Sequence, residues 1–221
     1  MRFHDREHAG RLLAVKLEGD RYQDAVVLGL TRGGMPVALE VARQIGAPLD
    51  MMVVRKIRAP GPGETLGAIA EGGATFLNPT VLREAGLGEA EASALAEAEV
   101  AELARRVRLY RGERPAPHLA GHLVVVVDDG VVTGASARAA ARAVRHRGAK
   151  QVVLAAPVVA AAAEPELRRD FDAVVAVEMP SEPFAIRDWY LRFEEVGDEE
   201  VLACLRRGWD EMEWRDPRAG A

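Results

Sequence analysis

The feature that most constrains the fold is a five-residue apolar run that leads directly into two adjacent carboxylates. Residues 123–127 read Leu-Val-Val-Val-Val, and Asp128 and Asp129 follow at once. A continuous apolar run is typical of a strand covered on both faces, as in a parallel sheet. Ligands of open α/β sheets bind at the carboxyl ends of such strands. The run therefore predicts an α/β domain with a ligand site at that edge of its sheet.

In the rest of the chain, predicted strands alternate with predicted helices, as an α/β domain requires. Residues 25–30 form a second apolar run, and a helix with Pro36 in its first turn should follow and end at Gly46. This strand and helix lead to a predicted strand over 49–57, which completes a strand–helix–strand unit. The remaining predicted elements are helices over 3–17, 135–147 and 198–207, and strands near 152–156 and 173–177.

Two segments interrupt this alternation. Residues 58–73 are rich in Gly and Pro and predict a long mobile loop, with short strands at most. Residues 89–111 predict a long helix, acidic at its start and basic at its end, which Pro115 and Pro117 should break. We therefore expect a mostly parallel sheet flanked by helices in a core domain over 1–180, with this loop and this helix inserted. Residues 181–221 should form a small C-terminal hood.

Composition narrows the class of protein. A formal charge of −5 argues against nucleic acid as a partner, since phosphate binding requires a basic face. Cys204 is the only cysteine, so an internal disulfide is excluded. The opening residues are charged, unlike a signal peptide, and the longest apolar run, 152–163, contains Pro157 and is too short to span a bilayer. We expect a soluble cytoplasmic protein that does not bind a membrane.

The residues after the two acids have the composition of a phosphate-binding loop. Gly130, Thr133, Gly134 and Ser136 precede a predicted helix, whose first N–H groups and dipole favour an anion. Two carboxylates beside such a loop are explained if they accept hydrogen bonds from vicinal hydroxyls of the same ligand. A phosphate next to a diol describes a ribose 5-phosphate.

This stretch resembles the phosphoribosyl-diphosphate (PRPP) signature of the type I phosphoribosyltransferases. The signature is an apolar run, two acids, three variable residues, Thr-Gly, one residue, and Ser or Thr, and residues 123–136 match every fixed position. The resemblance extends over about 25–180: residues 31–34 resemble the pyrophosphate loop, and 58–73 resembles the flexible catalytic loop. Residues 63–73, 89–111 and 188–190 further resemble an uncharacterised branch of predicted phosphoribosyltransferases.

The resemblance implies a role for each matching position. Asp128 and Asp129 would hold the ribose hydroxyls and take part in catalysis with Arg32. Mg²⁺ would be held by PRPP oxygens and water near the two acids, with no direct protein ligand, and the pyrophosphate loop often contains a cis peptide bond. The 5-phosphate would be bound by Gly130, Val131, Val132, Thr133, Gly134, Ala135 and Ser136. Pyrophosphate would be bound by Thr31, Arg32, Gly33, Gly34, Arg55 and Lys56.

The acceptor is less constrained. Enzymes for 6-oxopurines carry an acid just before the Thr-Gly, where this chain has Val132, so hypoxanthine and guanine are disfavoured. Proton transfer would then need another group, and Glu64 and Glu71 in the loop are candidates. An acceptor base could stack on aromatic side chains of the tail, although such residues more often pack a small core or a dimer contact. They are Phe184, Trp189 and Tyr190. Dimers are common in the family, so a homodimer is expected.

Other interpretations remain open. Asp128-Asp129 could be a strand-end turn, and Arg55-Lys56 a solvated strand end. The chain could be a PRPP- or nucleotide-sensing regulatory protein that has lost the chemistry, or a phospho-acceptor receiver domain, which has no use for Thr133-Gly134. The hypothesis we adopt is Mg²⁺-dependent transfer of ribose 5-phosphate from PRPP to an unidentified acceptor, probed by titration with PRPP.

Overall fold

The structure is a computed structural model that describes residues 2–17, 19, 22, 24–60 and 64–212. Its strands are β1 (Ala25–Leu30), β2 (Leu49–Met52), β3 (Val54–Arg58), β4 (Thr65–Ala70), β5 (Thr75–Leu77), β6 (Leu123–Val127), β7 (Gln151–Val158) and β8 (Ala173–Glu178). Five of them form a parallel sheet in the order β2-β1-β6-β7-β8. The other three form an antiparallel sheet in the order β3-β4-β5. The predicted α/β class with a parallel central sheet is confirmed.

Helices cover both faces of the parallel sheet. They are α1 (Arg6–Val15), α2 (Gly34–Ile45), α3 (Pro79–Glu84), α4 (Glu89–Arg111), α5 (Ala135–His146), α6 (Glu164–Leu167) and α7 (Asp198–Glu211). Buried residues of α1, α2 and α7 share one apolar cluster with Val125 and Val127, whereas α5 shares another with Val124 and Val126. Side chains alternate between the faces of a strand. The run 123–127 is therefore continuously apolar because both of its faces are covered.

The predicted strand over 49–57 divides into two strands that belong to different sheets. β2 pairs with β1 in the parallel sheet, and the chain then leaves it after Val53 so that β3 can pair with β4. Consequently 58–73 is not one long loop, because β4 and its turn lie within it. The segment that joins β3 to β4 is short, and its residues 61–63, including Pro62 and Gly63 of the predicted loop, lie outside the described residues.

Several helix boundaries differ from those predicted. The inserted helix spans 89–111 as expected, but Gly112, whose φ is +59°, ends it before the two prolines are reached. Helix α1 is shorter than 3–17, because the Asp5 side chain caps it by accepting from the N–H of His8. Helix α7 extends the predicted 198–207 to Glu211. The end of the predicted hood, 213–221, lies outside the described residues.

Phe3 and the tail segment 189–191 meet beside the sheet. Phe3 donates its N–H to the carbonyl of Trp189, and its own carbonyl accepts from Leu191. Phe3, Ala9, Val158 and Tyr190 form a small buried cluster at this junction. The junction places α1 and the segment after Trp189 next to each other. None of the helices among the described residues combines the length and apolar character that crossing a bilayer requires.

Candidate functional site

The register of the parallel sheet brings the two predicted binding loops together. Gly29 of β1 lies opposite Val127 of β6, so both strands end at the same level. The loop after β1 begins at Thr31, and the loop after β6 begins at Asp128. Two segments that are nearly 100 residues apart in the sequence thus face each other at the carboxyl edge of the sheet. This is the edge at which the apolar runs predicted a ligand site.

A cavity of about 790 Å³ opens at this edge, within the usual size range of ligand pockets. It is lined by part of each predicted binding segment. Those residues are Thr31, Arg32, Gly33 and Lys56 from the predicted pyrophosphate set, Glu64, and Asp128, Asp129, Gly130, Val131, Val132, Thr133, Gly134, Ala135 and Ser136 from the predicted ribose and phosphate sets.

The loop between β6 and α5 is built to leave backbone N–H groups free at a helix start. Gly134 precedes α5 with φ +77°, a conformation that side-chain-bearing residues rarely adopt, and no side chain caps the helix. The first N–H groups of α5, from Ala135 onward, therefore have no intrahelical acceptor. The loop is also tightly packed, because a Cβ atom at Gly130 would lie 2.8 Å from Ile186 and one at Gly134 2.7 Å from Leu167. This geometry can bind a phosphate.

The two acids at the end of β6 have different surroundings. Asp128 is half-buried, and its Oδ1 accepts the N–H of Asp129 at 2.9 Å. Asp129 is buried, and its Oδ2 accepts from Nε of Arg6 at 2.8 Å. The Tyr190 hydroxyl donates to the backbone carbonyl of Asp129 at 2.6 Å. Asp129 is therefore fixed by partners from both ends of the chain.

Burial makes both carboxyl groups harder to ionise. It raises the pKa of Asp128, and the neighbouring Asp129 carboxylate raises it further. Burial also raises the pKa of Asp129, but the guanidinium of Arg6 and, to a smaller extent, Lys56 act in the opposite direction. The cation of Arg6 thus offsets part of the cost of holding a second carboxylate at this edge.

The loop after β1 offers donors that are suited to an anion. The hydroxyl of Thr31 is buried and is one of two buried side-chain polar atoms without a hydrogen-bond partner among the described residues. The peptide bond between Thr31 and Arg32 is cis, as the resemblance implies. Arg32 donates to Glu195 of the tail, and its other amino group lies 3.9 Å from Asp198. The Arg32 guanidinium, which was expected to bind pyrophosphate, is therefore already bound to the carboxylate of Glu195.

Three of the predicted residues around the pyrophosphate and the loop do not line the cavity. Arg55 and Lys56 are adjacent on β3 and point to opposite faces, so Lys56 lines the cavity whereas Arg55 pairs with Glu99 of α4 at 2.7 Å. Gly34 is buried against β6, where a Cβ atom would lie 2.6 Å from the carbonyl of Val127. Glu71 binds Arg111 at 2.5 Å, outside the cavity lining.

The aromatic residues predicted to stack on an acceptor also lie outside the cavity lining. Tyr190 is buried against Phe3, with ring centroids 5.4 Å apart. Phe184 and Trp189 contact each other edge to face and pack on the same small cluster. The alternative of a small core holds for all three, because this cluster buries Tyr190 and partly buries Phe184 and Trp189. The aromatic side chain that does line the cavity is Phe193.

Sequence reasoning missed the residues that reach the cavity from the two ends of the chain. Arg6 of α1 lines it, as do Ile186, Phe193, Glu194 and Glu195 of the tail. None of them lies in a recognisable motif. The only available signal was the run Phe193-Glu194-Glu195, an aromatic residue beside two acids in a segment expected to cover the site.

No group of three or more His, Cys, Asp or Glu side chains within the described part of the chain is arranged to hold a metal ion. The cavity nevertheless carries five acidic side chains against three cationic ones. The acids are Glu64, Asp128, Asp129, Glu194 and Glu195, and the bases are Arg6, Arg32 and Lys56. A strongly anionic ligand would be repelled from such a surface unless cations accompanied it.

Comparisons with known proteins give one consistent result. The profile of the phosphoribosyl transferase domain matches residues 3–196. The crystal structure of TT1426 from Thermus thermophilus is 44% identical and superposes with a TM-score of 0.78, over 93% of this chain and 98% of that chain. Two Mycobacterium tuberculosis proteins, from strains H37Rv and CDC 1551, are named as candidate phosphoribosyl transferases and are 42% identical over 206 residues. That match covers 93% of this chain and 46% of theirs, so the chain spans about half their length.

Proposed function

The chain belongs to the phosphoribosyl transferase domain family, and from this premise we propose that it transfers ribose 5-phosphate from PRPP to a nitrogen acceptor and releases pyrophosphate. The observation that carries the proposal is the arrangement of three kinds of group in one cavity. A helix start with free N–H groups, a pair of acids and the Thr31–Gly33 loop with Lys56 surround the same space. Phosphate, diol and pyrophosphate occur in this order in PRPP.

The roles follow from the chemistry of each group. The N–H groups at the start of α5 would bind the 5-phosphate, and the Thr133 and Ser136 hydroxyls would add donors. Asp128 and Asp129 would accept hydrogen bonds from the ribose hydroxyls. The buried Thr31 hydroxyl, which has no acceptor among the described residues, would donate to a pyrophosphate oxygen. Arg32 would turn from Glu195 to the pyrophosphate, which is the stronger anion.

The reaction breaks the bond between C1 of the ribose and a pyrophosphate oxygen, and that oxygen keeps the electron pair. The acceptor nitrogen then bonds to C1, which passes through an oxocarbenium-like state. Arg32 and Lys56 stabilise the charge that develops on pyrophosphate, and this is the main contribution required of the protein. No covalent intermediate with a protein side chain is needed.

Magnesium ions fit the cavity as partners of the ligand. PRPP alone would bring several negative charges to a cavity whose acidic side chains are not outnumbered by basic ones, and Mg²⁺ prefers oxygen ligands and keeps several waters. Ligand oxygens and water would hold the ion close to Asp128 and Asp129, whose carboxylates can accept from its water. When bound, Mg²⁺ would neutralise part of the pyrophosphate charge.

The acceptor would lie against the tail segment beside the two acids. Val132, which lines the cavity and is 39% exposed, cannot transfer a proton, so we keep 6-oxopurines disfavoured. Glu71 cannot serve either while it is held by Arg111. Glu64 lines the cavity and remains the candidate for proton transfer. Phe193 replaces the three predicted aromatic residues as the ring that an acceptor base would contact, at its edge, because the Arg6 guanidinium lies 3.9 Å from its centroid and the Tyr190 ring 5.0 Å.

Calorimetric titration with PRPP, with and without Mg²⁺, tests the proposal. We expect Mg²⁺-dependent binding by the wild type and none by the Asp128→Asn/Asp129→Asn double variant, with circular dichroism showing that the variant still folds. Absence of binding by the wild type in both conditions would refute the site assignment.

A panel of nitrogenous acceptors then tests turnover by following pyrophosphate release. Release with one class of acceptor supports the transferase. Binding of PRPP without release for any acceptor would favour a sensing protein, the alternative left open by the sequence. We further propose that the protein works in the cytoplasm as a homodimer, which sedimentation equilibrium would test.

A further inference from the structure

Arg6 makes a set of contacts that no recognised motif predicts. Its Nε donates to Oδ2 of Asp129 at 2.8 Å, and its Nη1 donates to the carbonyl of Glu194 at 2.8 Å. The guanidinium carbon also lies 3.9 Å from the ring centroid of Phe193. The side chains of Arg6 and Asp129 are each only 11% exposed. One guanidinium thus joins α1, the end of β6 and the tail at the wall of the cavity.

The Asp129 carboxylate has little freedom beside this contact. Its Oδ2 lies where a Cβ atom of residue 33 would be only 2.2 Å away, so it is packed against the backbone of the loop after β1. Its own backbone carbonyl is held by the Tyr190 hydroxyl. Arg6 engages Oδ2, and a carboxylate has acceptor positions on both oxygens. With Oδ2 engaged by Arg6, Oδ1 is the oxygen that would be available to a ligand in the cavity that Asp129 lines.

We propose that Arg6 is a positioning residue for ribose recognition, which fixes the Asp129 carboxylate so that Oδ1 accepts a ribose hydroxyl. The inference rests on the proposed function and adds to it a residue outside the sequence signature. The charged groups around Asp129 are Arg6, Asp128 and Lys56, with the Tyr190 hydroxyl beside them. Arg6 is the one that contacts its carboxylate. The same guanidinium holds Glu194, so it would set the ribose site and the tail wall together.

The test compares two ligands that each contain one part of PRPP. Ribose 5-phosphate carries the hydroxyls, and Mg²⁺-pyrophosphate carries none. For Arg6→Met we expect about tenfold weaker binding of ribose 5-phosphate, the lower end of the effect of losing a residue that orients a ligand-binding side chain. Binding of Mg²⁺-pyrophosphate should change less than twofold. A general loss of structure would weaken both ligands.

Matched variants separate positioning from packing. Arg11→Met removes a charge from the same helix, where Arg11 pairs with Glu40 at 3.4 Å and is 54% exposed, and should leave both affinities unchanged. Arg6→Lys keeps the cation and should recover part of the lost affinity. In the Asp129→Asn background Arg6→Met should have almost no further effect, because a residue that acts through Asp129 is not additive with its loss.

The outcomes are distinct. Ribose 5-phosphate binding by the wild type that is unchanged in Arg6→Met overturns the inference about Arg6 and leaves the proposed function intact. Equal losses for both ligands, or full additivity with Asp129→Asn, overturn it as well. Failure of the wild type to bind ribose 5-phosphate and PRPP refutes the proposed function itself. If Arg6→Met does not fold, the Arg6→Lys variant alone and with Asp129→Asn gives the same test.

Discussion

Replacing Gly33 with alanine should disable the ribose site without damaging the fold. The backbone at Gly33 has φ −61° and ψ −30°, which alanine adopts without strain. The added Cβ atom, however, would lie 2.2 Å from Oδ2 of Asp129, whereas such contacts are essentially never shorter than 3.0 Å. The carboxylate must therefore move by at least about 0.8 Å, because the loop backbone on the other side is held by the sheet.

This displacement is large compared with the hydrogen bond that it disturbs. The Arg6 Nε to Asp129 Oδ2 distance is 2.8 Å, and a separation of about 3.6 Å is no longer a hydrogen bond. The same displacement would carry Oδ1 away from a ribose hydroxyl, and a hydrogen bond to a charged group is worth roughly 1.5–3 kcal/mol. We therefore expect Gly33→Ala to bind ribose 5-phosphate about tenfold to a hundredfold more weakly, measured by calorimetric titration.

The matched control is Gly197→Ala. Gly197 precedes α7 as Gly33 precedes α2, and a Cβ atom there would meet no heavy atom within 4 Å. Gly33→Ala should lower the melting temperature more than Gly197→Ala, because it also weakens the hydrogen bond between Arg6 and Asp129, but circular dichroism should show that both variants fold. Ribose 5-phosphate affinity in Gly33→Ala that equals the Gly197→Ala value would refute the argument, since the acid would then not depend on its contact with the loop.

Three further predictions concern the charged groups of the site. Arg32→Ala should weaken Mg²⁺-pyrophosphate by about tenfold but ribose 5-phosphate hardly at all, and equal losses would remove its assigned role. Glu195→Gln should strengthen pyrophosphate binding a few-fold, because Glu195 competes with pyrophosphate for Arg32. Glu199→Gln, at an exposed position of α7, is the control and should leave the affinity unchanged. Similar affinities of the two variants would show that no competition occurs. Asp128→Asn should raise the melting temperature, and more at pH 8 than at pH 5. The pKa of Asp128 is higher in the folded chain than in the unfolded chain, so ionisation favours the unfolded state. The stability of the wild type therefore falls as the pH rises through the interval between these two pKa values. The amide of the variant does not ionise and has no such cost. A gain that does not depend on pH would contradict this reasoning.

The parts of the fold that the sequence could predict are those that depend on local pattern. Residues 25–30 and 123–127 are continuously apolar because helices cover both faces of the strands, and this produces the same signal wherever it occurs. Helix α4 was predicted from its charge gradient. The hairpin of β3 and β4 was missed, because the glycines and small residues of 65–70 resemble a loop until β3 pairs with them.

The same distinction between local pattern and long-range packing applies to the residues of the candidate site. The residues after β1 and β6 could be placed because a loop that follows a buried strand must lie at the edge of the sheet. The sequence could not show which of Arg55 and Lys56 faces the cavity, because this depends on how the strand that carries them is oriented. Arg6 and Phe193 could not be found, since their position depends on how the chain ends pack together. Tyr190 was assigned to an acceptor although that packing buries it.

One wall of the cavity joins segments that are far apart in the sequence, and this separation limits when the wall can form during synthesis. Arg6 is synthesised well before its partners, because Asp129 and Glu194 follow it by 123 and 188 residues. A nascent chain completes the loop after β6 while Arg6 still lacks its tail partner. Because contacts over such separations form slowly, we expect this wall, and with it the ribose site, to form after the local strand–helix units.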